Sequence, residues 1–308
     1  MDIAVIGSNM VDLITYITEM PKTGETLEAP DFEIGCGGKG ANQAVAAAKL
    51  GASVMMVSKV GDDLFADNTI NNLRQHDVDT RFVEKVPGVS SGVAPIFVDR
   101  ESHNRILIIK GANNHLGVAD IDQAAEHIKH CKLIILQLEV PLATVYHTID
   151  FARQHQVPVI LNPAPASREL DIDYACQCDF FMPNETELET LTGMPVDSEP
   201  HILAAGRSLL ARGLKNLIIT MGHRGSVWLT GDNIHRVDPV PVRATDTSGA
   251  GDAYIGCFAH YYVRSGDIKQ AMGFASAYAA YSVRGKGTQR SYADAAQFQE
   301  FIATLHQE

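Results

Sequence analysis

Short apolar runs alternate along the chain with longer stretches in which apolar residues recur at helical spacing. The apolar runs are Ile3–Ile6, Val54–Val57, Leu133–Leu136, Val157–Leu161, Phe180–Met182 and Leu217–Thr220. They are rich in Val, Ile and Leu, which is typical of parallel strands covered on both faces. Helical patterns lie between most of them, at Ala41–Leu50, Asp67–His76, Val118–His130, Ala143–His155, Glu185–Thr192 and Ile202–Arg212. This alternation predicts an α/β fold, a three-layer α/β/α sandwich around a mainly parallel sheet.

Two regions interrupt the alternation. Residues 13–34 follow the first strand without a crossover helix, and residues 92–98 and 105–110 have the pattern of two strands separated by a polar turn at residues 99–104. We interpret them as a small antiparallel sheet, the β lid, whose strands fall within 13–34 and 92–110 of a single domain covering 1–308. Val93, Pro95 and Phe97 alternate along one lid strand. They leave an apolar face that predicts a partner subunit.

Composition and charge narrow the function classes. The 308 residues are 45% hydrophobic and 20% charged, an ordinary globular composition. The net charge of −12 makes nonspecific binding to nucleic acid or anionic membranes unfavourable. The chain start lacks the basic and apolar regions of a signal peptide, and no apolar run reaches the length of a membrane span. We therefore expect a cytoplasmic protein without nucleic-acid or membrane partners.

The segment Asp246–Asp252 carries the strongest chemical signal. A small Gly-rich turn, Gly249-Ala250-Gly251, precedes an apolar helical pattern from Ala253 to Arg264. Backbone N–H groups at such a helix start point at one spot and bind anionic oxygen. Asp252 beside that spot can accept a proton from a substrate hydroxyl. The pair suits phosphoryl transfer, although an acidic loop that caps a helix would also explain the residues.

Asp12 is a second candidate, since it follows the first predicted strand. The carboxyl ends of strands in open α/β sheets usually bind ligands. A turn capped by Asp12 is an equally good explanation. Side chains alternate along a strand, so Met10 and Asp12 are expected on one face and Asn9 on the other.

The Gly-rich segment Gly35–Asn42 formally contains G-x-G-x-x-G. A dinucleotide-binding version of this motif would follow the first strand directly. Here it follows the predicted lid, so a dinucleotide-dependent oxidoreductase is only an alternative. Lys39 is followed by Gly40 rather than Ser or Thr, which excludes a P-loop.

Two further turns follow predicted strands. Asn184 and Glu187 lie three apart at a helix start, where an amide and a carboxylate can hold a hydrated Mg²⁺ near phosphates. An ordinary helix start with acidic first-turn residues is the alternative. The turn Thr220–Gly225 can contact a nucleotide or be a simple β-turn.

Taken together, these motifs resemble the ribokinase-like (PfkB) sugar kinase family across nearly the whole chain. The matching segments, in family order, are Gly37–Ala44, Asn162–Pro165, Pro183–Glu187 and Asp246–Asp252. The resemblance implies an ATP-dependent kinase that phosphorylates the 5-hydroxyl of a pentose. Within the family the chain is most similar to the enzymes that act on ribose and on 2-deoxyribose.

The resemblance also implies a role for each matching position. Asp252 would be the general base, and the anion hole would be formed by Gly249, Ala250 and Gly251. The sugar would be bound by Asp12, Gly38, Lys39, Asn42 and Glu139. ATP would be bound by Asn184, Thr220, Gly222, His223, Gly225, Gly251 and Ser276.

Mg²⁺ would be supported through water by Asn184 and Glu187. A monovalent cation such as K⁺ would be bound by Asp246, Ser248, Ser282, Gly285, Gly287 and Ser291. The resemblance further implies a homodimer joined through the β lid.

One position departs from the ribokinase pattern. Ribokinases have Asn two residues before the sugar-binding Asp, whereas this chain has Met10 before Asp12. A thioether cannot hydrogen-bond a secondary hydroxyl as an amide does. The change therefore favours 2-deoxyribose, which lacks the 2-hydroxyl. Ribose as the substrate, with Met10 a neutral replacement, is the alternative within the family. A non-catalytic sugar-binding regulator would leave Asp252 and its anion hole without a role.

Overall fold

The computed structural model describes residues 1–99, 104–231 and 233–305. These residues form the strands β1 (Ile3–Ile6), β2 (Met10–Tyr16), β3 (Asp31–Gly37), β4 (Val54–Val60), β5 (Asp79–Lys85), β6 (Gly92–Val98), β7 (Asn104–Ile106), β8 (Leu133–Leu136), β9 (Val159–Leu161), β10 (Phe180–Phe181), β11 (Asn216–Thr220), β12 (Ser226–Thr230) and β13 (Asn233–Val237). They also form the helices α1 (Lys39–Lys49), α2 (Leu64–Gln75), α3 (Val118–Ile128), α4 (Leu142–His155), α5 (Ile172–Ala175), α6 (Glu185–Thr192), α7 (Glu199–Leu210), α8 (Ala250–Ser265), α9 (Ile268–Ser282) and α10 (Ala295–Leu305). Within the described ranges, every helix falls short of the length and apolarity needed to cross a bilayer.

The central sheet has nine strands in the order β13-β12-β11-β10-β9-β8-β1-β4-β5. Its pairings from β11 through β5 are parallel, and only β12 and β13 pair antiparallel at one edge. The predicted mainly parallel sheet is therefore confirmed.

Helices cover both faces of this sheet. Along β1, Ile3 and Val5 pack into one hydrophobic core, whereas Ala4 and Ile6 pack into the other. The first core is closed by α1, α2, α8, α9 and α10, and the second by α3, α4, α6 and α7. Because strand side chains alternate in direction, a strand that is apolar at every position must be buried on both faces. This arrangement is the predicted three-layer sandwich.

The structure corrects several predicted boundaries and adds elements. Helix α7 begins at Glu199 rather than Ile202, because the Ser198 side chain caps it and Pro200 fits the first turn. Helix α8 begins at Ala250 rather than Ala253, so the Gly-rich turn is itself the helix start. Strands β5, β12 and β13 and helices α9 and α10 had no counterpart in the predicted pattern.

The β lid is a four-stranded sheet in the order β3-β2-β6-β7. Strand β2 pairs antiparallel with β3 and parallel with β6, and β6 pairs antiparallel with β7. Its first two strands extend three residues beyond each end of the predicted range 13–34. Of the predicted polar turn at 99–104, residues 100–103 lie outside the described residues.

The lid changes the position predicted for Asp12. Its placement at the carboxyl end of a strand of the main sheet is wrong, because β1 ends at Ile6 and Asp12 lies inside β2. The chain leaves the main sheet after Ile6 and pairs with β3 and β6 instead. The predicted shared face of Met10 and Asp12 is retained because both belong to this one strand.

Candidate active site

The Gly-rich turn at the start of α8 is held in one conformation. Gly249 precedes the helix in the left-handed region, with φ of 72°. A Cβ atom there would lie 2.7 Å from Tyr292 Oη, so only glycine fits. Tyr292 Oη donates to the Gly249 carbonyl at 3.0 Å. Together with Asp252, the predicted anion-hole residues Gly249, Ala250 and Gly251 line a cleft of about 170 Å³ at the helix N-terminus.

The Asp252 carboxylate is buried and held on both oxygens. Its Oδ1 accepts from Gln43 Nε2 at 2.8 Å, and its Oδ2 accepts from Asn42 Nδ2 at 2.9 Å. Both amides come from α1, which packs closely against α8. A Cβ at Gly256 would lie only 2.6 Å from Ala46 Cβ, so this glycine permits the approach. Helix packing thus brings the predicted residues Asn42 and Asp252 together.

Glu139 and Lys39 lie beside this carboxylate. The Glu139 Oε2 atom accepts from Ser8 Oγ at 2.5 Å and from the Lys39 backbone N at 2.9 Å. Burial raises the pKa of Glu139, while the Lys39 charge opposes that rise. Burial acts to lower the pKa of Lys39, but Asp252, Glu139 and Glu187 outweigh it and the pKa is raised. Lys39 therefore stays protonated near neutral pH.

Asp12 reaches the same region from the lid. Its side chain is 7% exposed, and Thr288 Oγ1 lies 3.5 Å from Asp12 Oδ2. Burial, with a further contribution from Glu139, raises the pKa of Asp12 to about 6. A Cβ at Gly37, which pairs with Met10 on the neighbouring strand β3, would lie 2.2 Å from the Asp12 carboxylate, so glycine leaves the space that Asp12 occupies. Met10 lies on the same lid face and is 1% exposed.

A larger cleft of about 650 Å³ adjoins the anion hole. All of the predicted nucleotide-binding residues line it, namely Asn184, Thr220, Gly222, His223, Gly225, Gly251 and Ser276. It shares Asn184, Thr220, Thr247, Ala250 and Gly251 with the smaller cleft. Its apolar wall was not predicted and includes Pro239, Val240, Pro241, Val242, Tyr254 and Val283. An apolar slot that ends at an anion hole fits a flat base followed by phosphates.

Asn184 and Glu187 form a reciprocal cap at the start of α6. Glu187 N donates to Asn184 Oδ1 and Asn184 N donates to Glu187 Oε2, both at 2.8 Å. Glu187 also lines the smaller cleft, and burial raises the pKa of its carboxyl group. Within the described ranges no group of three or more Asp, Glu, His or Cys could hold a metal by itself. These oxygens suit Mg²⁺ that takes its other ligands from phosphates and water.

The predicted monovalent-cation residues lie on two joined segments. Asp246 Oδ1 accepts from Ser248 N and Asp246 Oδ2 accepts from Gly287 N, both at 2.9 Å. Thr245 N also donates to the Val283 carbonyl at 2.7 Å. Ser282 and Gly285 are joined by a backbone hydrogen bond, and Gly285 would crowd Ser291 if it carried a Cβ atom. The segment that follows α9 is thereby tied to the anion hole.

Several buried amides around Asp252 were missed at the sequence level. They are Gln43, Gln137, Asn162 and Gln289. Gln43 and Asn162 lie within the family-matching segments Gly37–Ala44 and Asn162–Pro165, but no role was assigned to either of them. Nothing local marks Gln137 or Gln289, since their partners are 94 and 247 residues away.

A buried carboxylate, an anion hole and a lysine at the end of an apolar slot define a phosphotransferase that acts on a hydroxyl group. Residues 1–295 match the pfkB family carbohydrate kinase, and the chain belongs to that family. It is an ATP-dependent sugar kinase. The dinucleotide alternative fails, since Gly35–Gly37 lie in the lid strand β3.

The chain is similar to sugar kinases over nearly its full length. It is 65% identical to deoxyribokinase of Salmonella typhi, across 98% of this chain and 99% of the relative. It is 39% identical to ribokinase of Mus musculus, across 94% and 91%. The structure of Arabidopsis thaliana ribokinase complexed with ribose and ATP has a TM-score of 0.90 to it at 28% identity, with 98% of each chain covered.

Proposed function

We propose that this kinase transfers the γ-phosphoryl group of ATP to the 5-hydroxyl of 2-deoxy-D-ribose. The observation that carries the proposal is Met10, a buried thioether on the same lid face as Asp12. The 65% identity to Salmonella deoxyribokinase supports it. Ribose is the second candidate, because the 39% identical mouse relative is a ribokinase.

Met10 favours the deoxy sugar for a physical reason. A site that hydrogen-bonds a hydroxyl rejects a sugar lacking it, because buried polar groups are left unpaired. An apolar site loses nothing with 2-deoxyribose and admits an added hydroxyl at a cost of roughly 1–3 kcal/mol. The enzyme should therefore prefer 2-deoxyribose and retain some activity on ribose.

In the proposed reaction, the Asp252 carboxylate accepts the proton of the sugar 5-hydroxyl. The sugar oxygen forms a bond to the γ-phosphorus while the bond from that phosphorus to the ADP oxygen breaks. N–H groups of Gly249, Ala250 and Gly251 stabilise the charge on the transferring group. Asp12, Gly38, Lys39, Asn42 and Glu139 hold the sugar in this proposal.

ATP occupies the larger cleft in this proposal, with its base against the apolar wall and its phosphates towards the anion hole. Asn184 and Glu187 hold Mg²⁺ through water, as the oxygen donors at this cleft allow. When bound, Mg²⁺ neutralises phosphate charge. K⁺ is proposed beside the anion hole, supported by Asp246, Ser248, Ser282, Gly285, Gly287 and Ser291. The joined segments around Asp246 motivate this site.

We also propose one kinase domain over residues 1–308 and a homodimer formed through the outer face of the β lid. Met10, Asp12 and Ala94 face inward, and the alternate residues face outward. Phe32 and Ile34 on this outer face are 52% and 55% exposed. Apolar sheet faces of this kind usually need a partner. A second copy of the chain offers a matching apolar face.

A coupled ADP-release assay tests the substrate. Wild type and Met10→Asn are compared on 2-deoxyribose, ribose and a panel of other sugars at saturating ATP. Wild type should have its highest kcat/KM on 2-deoxyribose, and Met10→Asn should shift the ratio towards ribose with little change in KM for ATP. A wild type that prefers ribose would make ribokinase the better assignment. An unchanged ratio in Met10→Asn would remove the role of Met10.

A further inference from the structure

Behind Asp252 lies a set of buried amides, Gln43, Gln137 and Asn162, of which only Asn162 lines a cleft. Gln43 is completely buried, with 0% of its surface exposed, and it lines neither the nucleotide cleft nor the anion-hole cleft. It nevertheless donates to Asp252 Oδ1 at 2.8 Å. Its contact with the reaction is therefore through Asp252.

The orientation of the Gln43 amide is fixed by its other partners. Gln43 Nε2 also donates to Asn162 Oδ1 at 3.2 Å, and Gln43 Oε1 accepts from Gln137 Nε2 at 2.7 Å. Asn162 is held in turn, because its Nδ2 donates to the Met182 carbonyl at 3.0 Å. A flipped Gln43 amide would put its oxygen against the Asp252 carboxylate and its NH₂ against that of Gln137. The observed orientation pairs the Gln43 amide with Asp252, Asn162 and Gln137 at once.

A second series of amides reaches the other carboxylate oxygen. Asn72 Nδ2 donates to Gln289 Oε1 at 2.6 Å, and Gln289 Nε2 donates to Asn42 Oδ1 at 2.9 Å. Asn42 is thereby turned so that its Nδ2 meets Asp252 Oδ2. Asn42 is also a proposed sugar ligand, so a change there would mix two effects. Gln43 offers the separable one.

We propose that Gln43 is a positioning residue for Asp252, and that Gln137 and Asn162 fix the orientation in which it works. The proposal rests on the proposed role of Asp252 as the base. With a donor on each oxygen, the carboxylate plane cannot rotate freely, and a remaining lone pair faces the sugar hydroxyl. The two donors thus hold the carboxylate in place from the side away from the cleft.

Gln43→Leu tests this, since leucine fills similar space without a donor. We expect kcat on 2-deoxyribose to fall about 10- to 100-fold, as for a misplaced catalytic group. The sugar KM should stay within about threefold, because no ground-state contact is removed. Gln137→Leu should give a smaller change in the same direction, since Gln43 remains but is free to turn.

Thr148→Val is the matched control. Thr148 is also fully buried and loses one hydrogen bond, to the Thr144 carbonyl, but it has no route to Asp252. It should lower the melting temperature while leaving kcat per folded enzyme and the sugar KM as in wild type. If Gln43→Leu only lowers the melting temperature, as Thr148→Val does, Gln43 is a structural residue and the proposal is wrong.

Asp252→Asn, measured alongside, separates this inference from the proposed function. If Asp252→Asn is inactive and Gln43→Leu has the kcat of wild type, only the positioning role fails. If Asp252→Asn keeps near-normal turnover, the base assignment itself fails and the positioning role fails with it.

Discussion

At the residue scale, three buried carboxyl groups lie together on the sugar side of the site. Asp12, Glu139 and Asp252 are 7%, 4% and 6% exposed. Burial raises the pKa of Asp12 and Glu139, and the charge of Lys39 opposes that rise for Glu139. Concentrated negative charge costs stability, which suggests that the site is arranged for binding and not for the stability of the free protein.

Asp12 gives a pH-dependent prediction. Its pKa rises from 3.8 to about 6 in the folded protein. Between these two pH values, Asp12 is therefore mostly protonated in the folded state and mostly ionised in the unfolded state. The contribution of Asp12 to the free energy of unfolding is thus fully present below the pKa of the unfolded state. It is lost as the pH rises through the pKa of the folded state. Asp12→Asn removes the effect. Relative to wild type, the variant should gain about 1–2 kcal/mol of unfolding free energy between pH 5 and pH 8.

Urea unfolding of both sugar-free proteins at the two pH values measures the difference. A stability difference that is the same at pH 5 and pH 8 would mean that Asp12 titrates near its ordinary value in the folded protein.

Asp252 gives the catalytic prediction. Asp252→Asn keeps the size of the side chain and its place between Asn42 and Gln43 but cannot accept the proton. Turnover should fall by about 10²–10⁴, the typical contribution of a general base. ATP binding and melting temperature should change little. Turnover close to wild type in a folded Asp252→Asn protein would assign the base to another group.

At the scale of elements, the sequence pattern was a good guide wherever a structure is local. The apolar runs predicted the parallel strands of the main sheet because each is buried on both faces. The motif residues fall at strand ends and helix starts, so their clustering at one sheet edge was predictable as well. The two edge strands, β5 and β13, were missed because neither has a continuous buried apolar run. Strand β12 was missed as well, although it contains a short apolar run.

What could not be predicted depends on contacts between distant segments. The sequence shows a glycine at position 249, but it does not show that the Tyr292 side chain packs against this position and requires a glycine there. Likewise, Asp12 looked like a strand-end residue because the lid pairing of β2 with β3 and β6 is not visible locally. The amides that hold Asp252 come from α1, and their own partners come from three other parts of the chain.

The two segments joined by Asp246 give a prediction at this scale. A monovalent cation there would order the segment after α9 and, through Gly287 and Ser248, the turn before α8. Activity should therefore rise severalfold in K⁺ over tetramethylammonium at equal ionic strength. Asp246→Asn should weaken this activation, and Asp197→Asn, on an exposed residue remote from both segments, should not. Equal activity in the two salts after thorough K⁺ removal would argue against a cation site.

At the scale of the whole molecule, the β lid has a different environment on each face. Its inner face carries Met10 and Asp12 into the site, and Ile14, Ala94 and Ile96 form a small buried cluster on it. Its outer face is buried at Val11, where α2 contacts β2, but the large apolar side chains of Phe32 and Ile34 stand exposed there. The same small sheet can thus close over the sugar and meet a second subunit. A change at the outer face would then reach the sugar site through the strands themselves.

This two-sided lid gives the last prediction. Wild type should have twice the mass of one chain by light scattering at micromolar concentration. Removing an apolar sheet face from water lowers the free energy and so favours the dimer. Ile34→Glu puts a charge on that face, in the edge strand β3, and should shift the protein towards monomer. Val118→Glu, at an exposed apolar residue on α3 outside the lid strands, is the control and should remain dimeric.

If Ile34→Glu is a folded monomer, its KM for the sugar should rise more than its KM for ATP, since Met10 and Asp12 lie on β2 beside the altered strand. A monomeric wild type would show that the outer face of the lid has another partner or none.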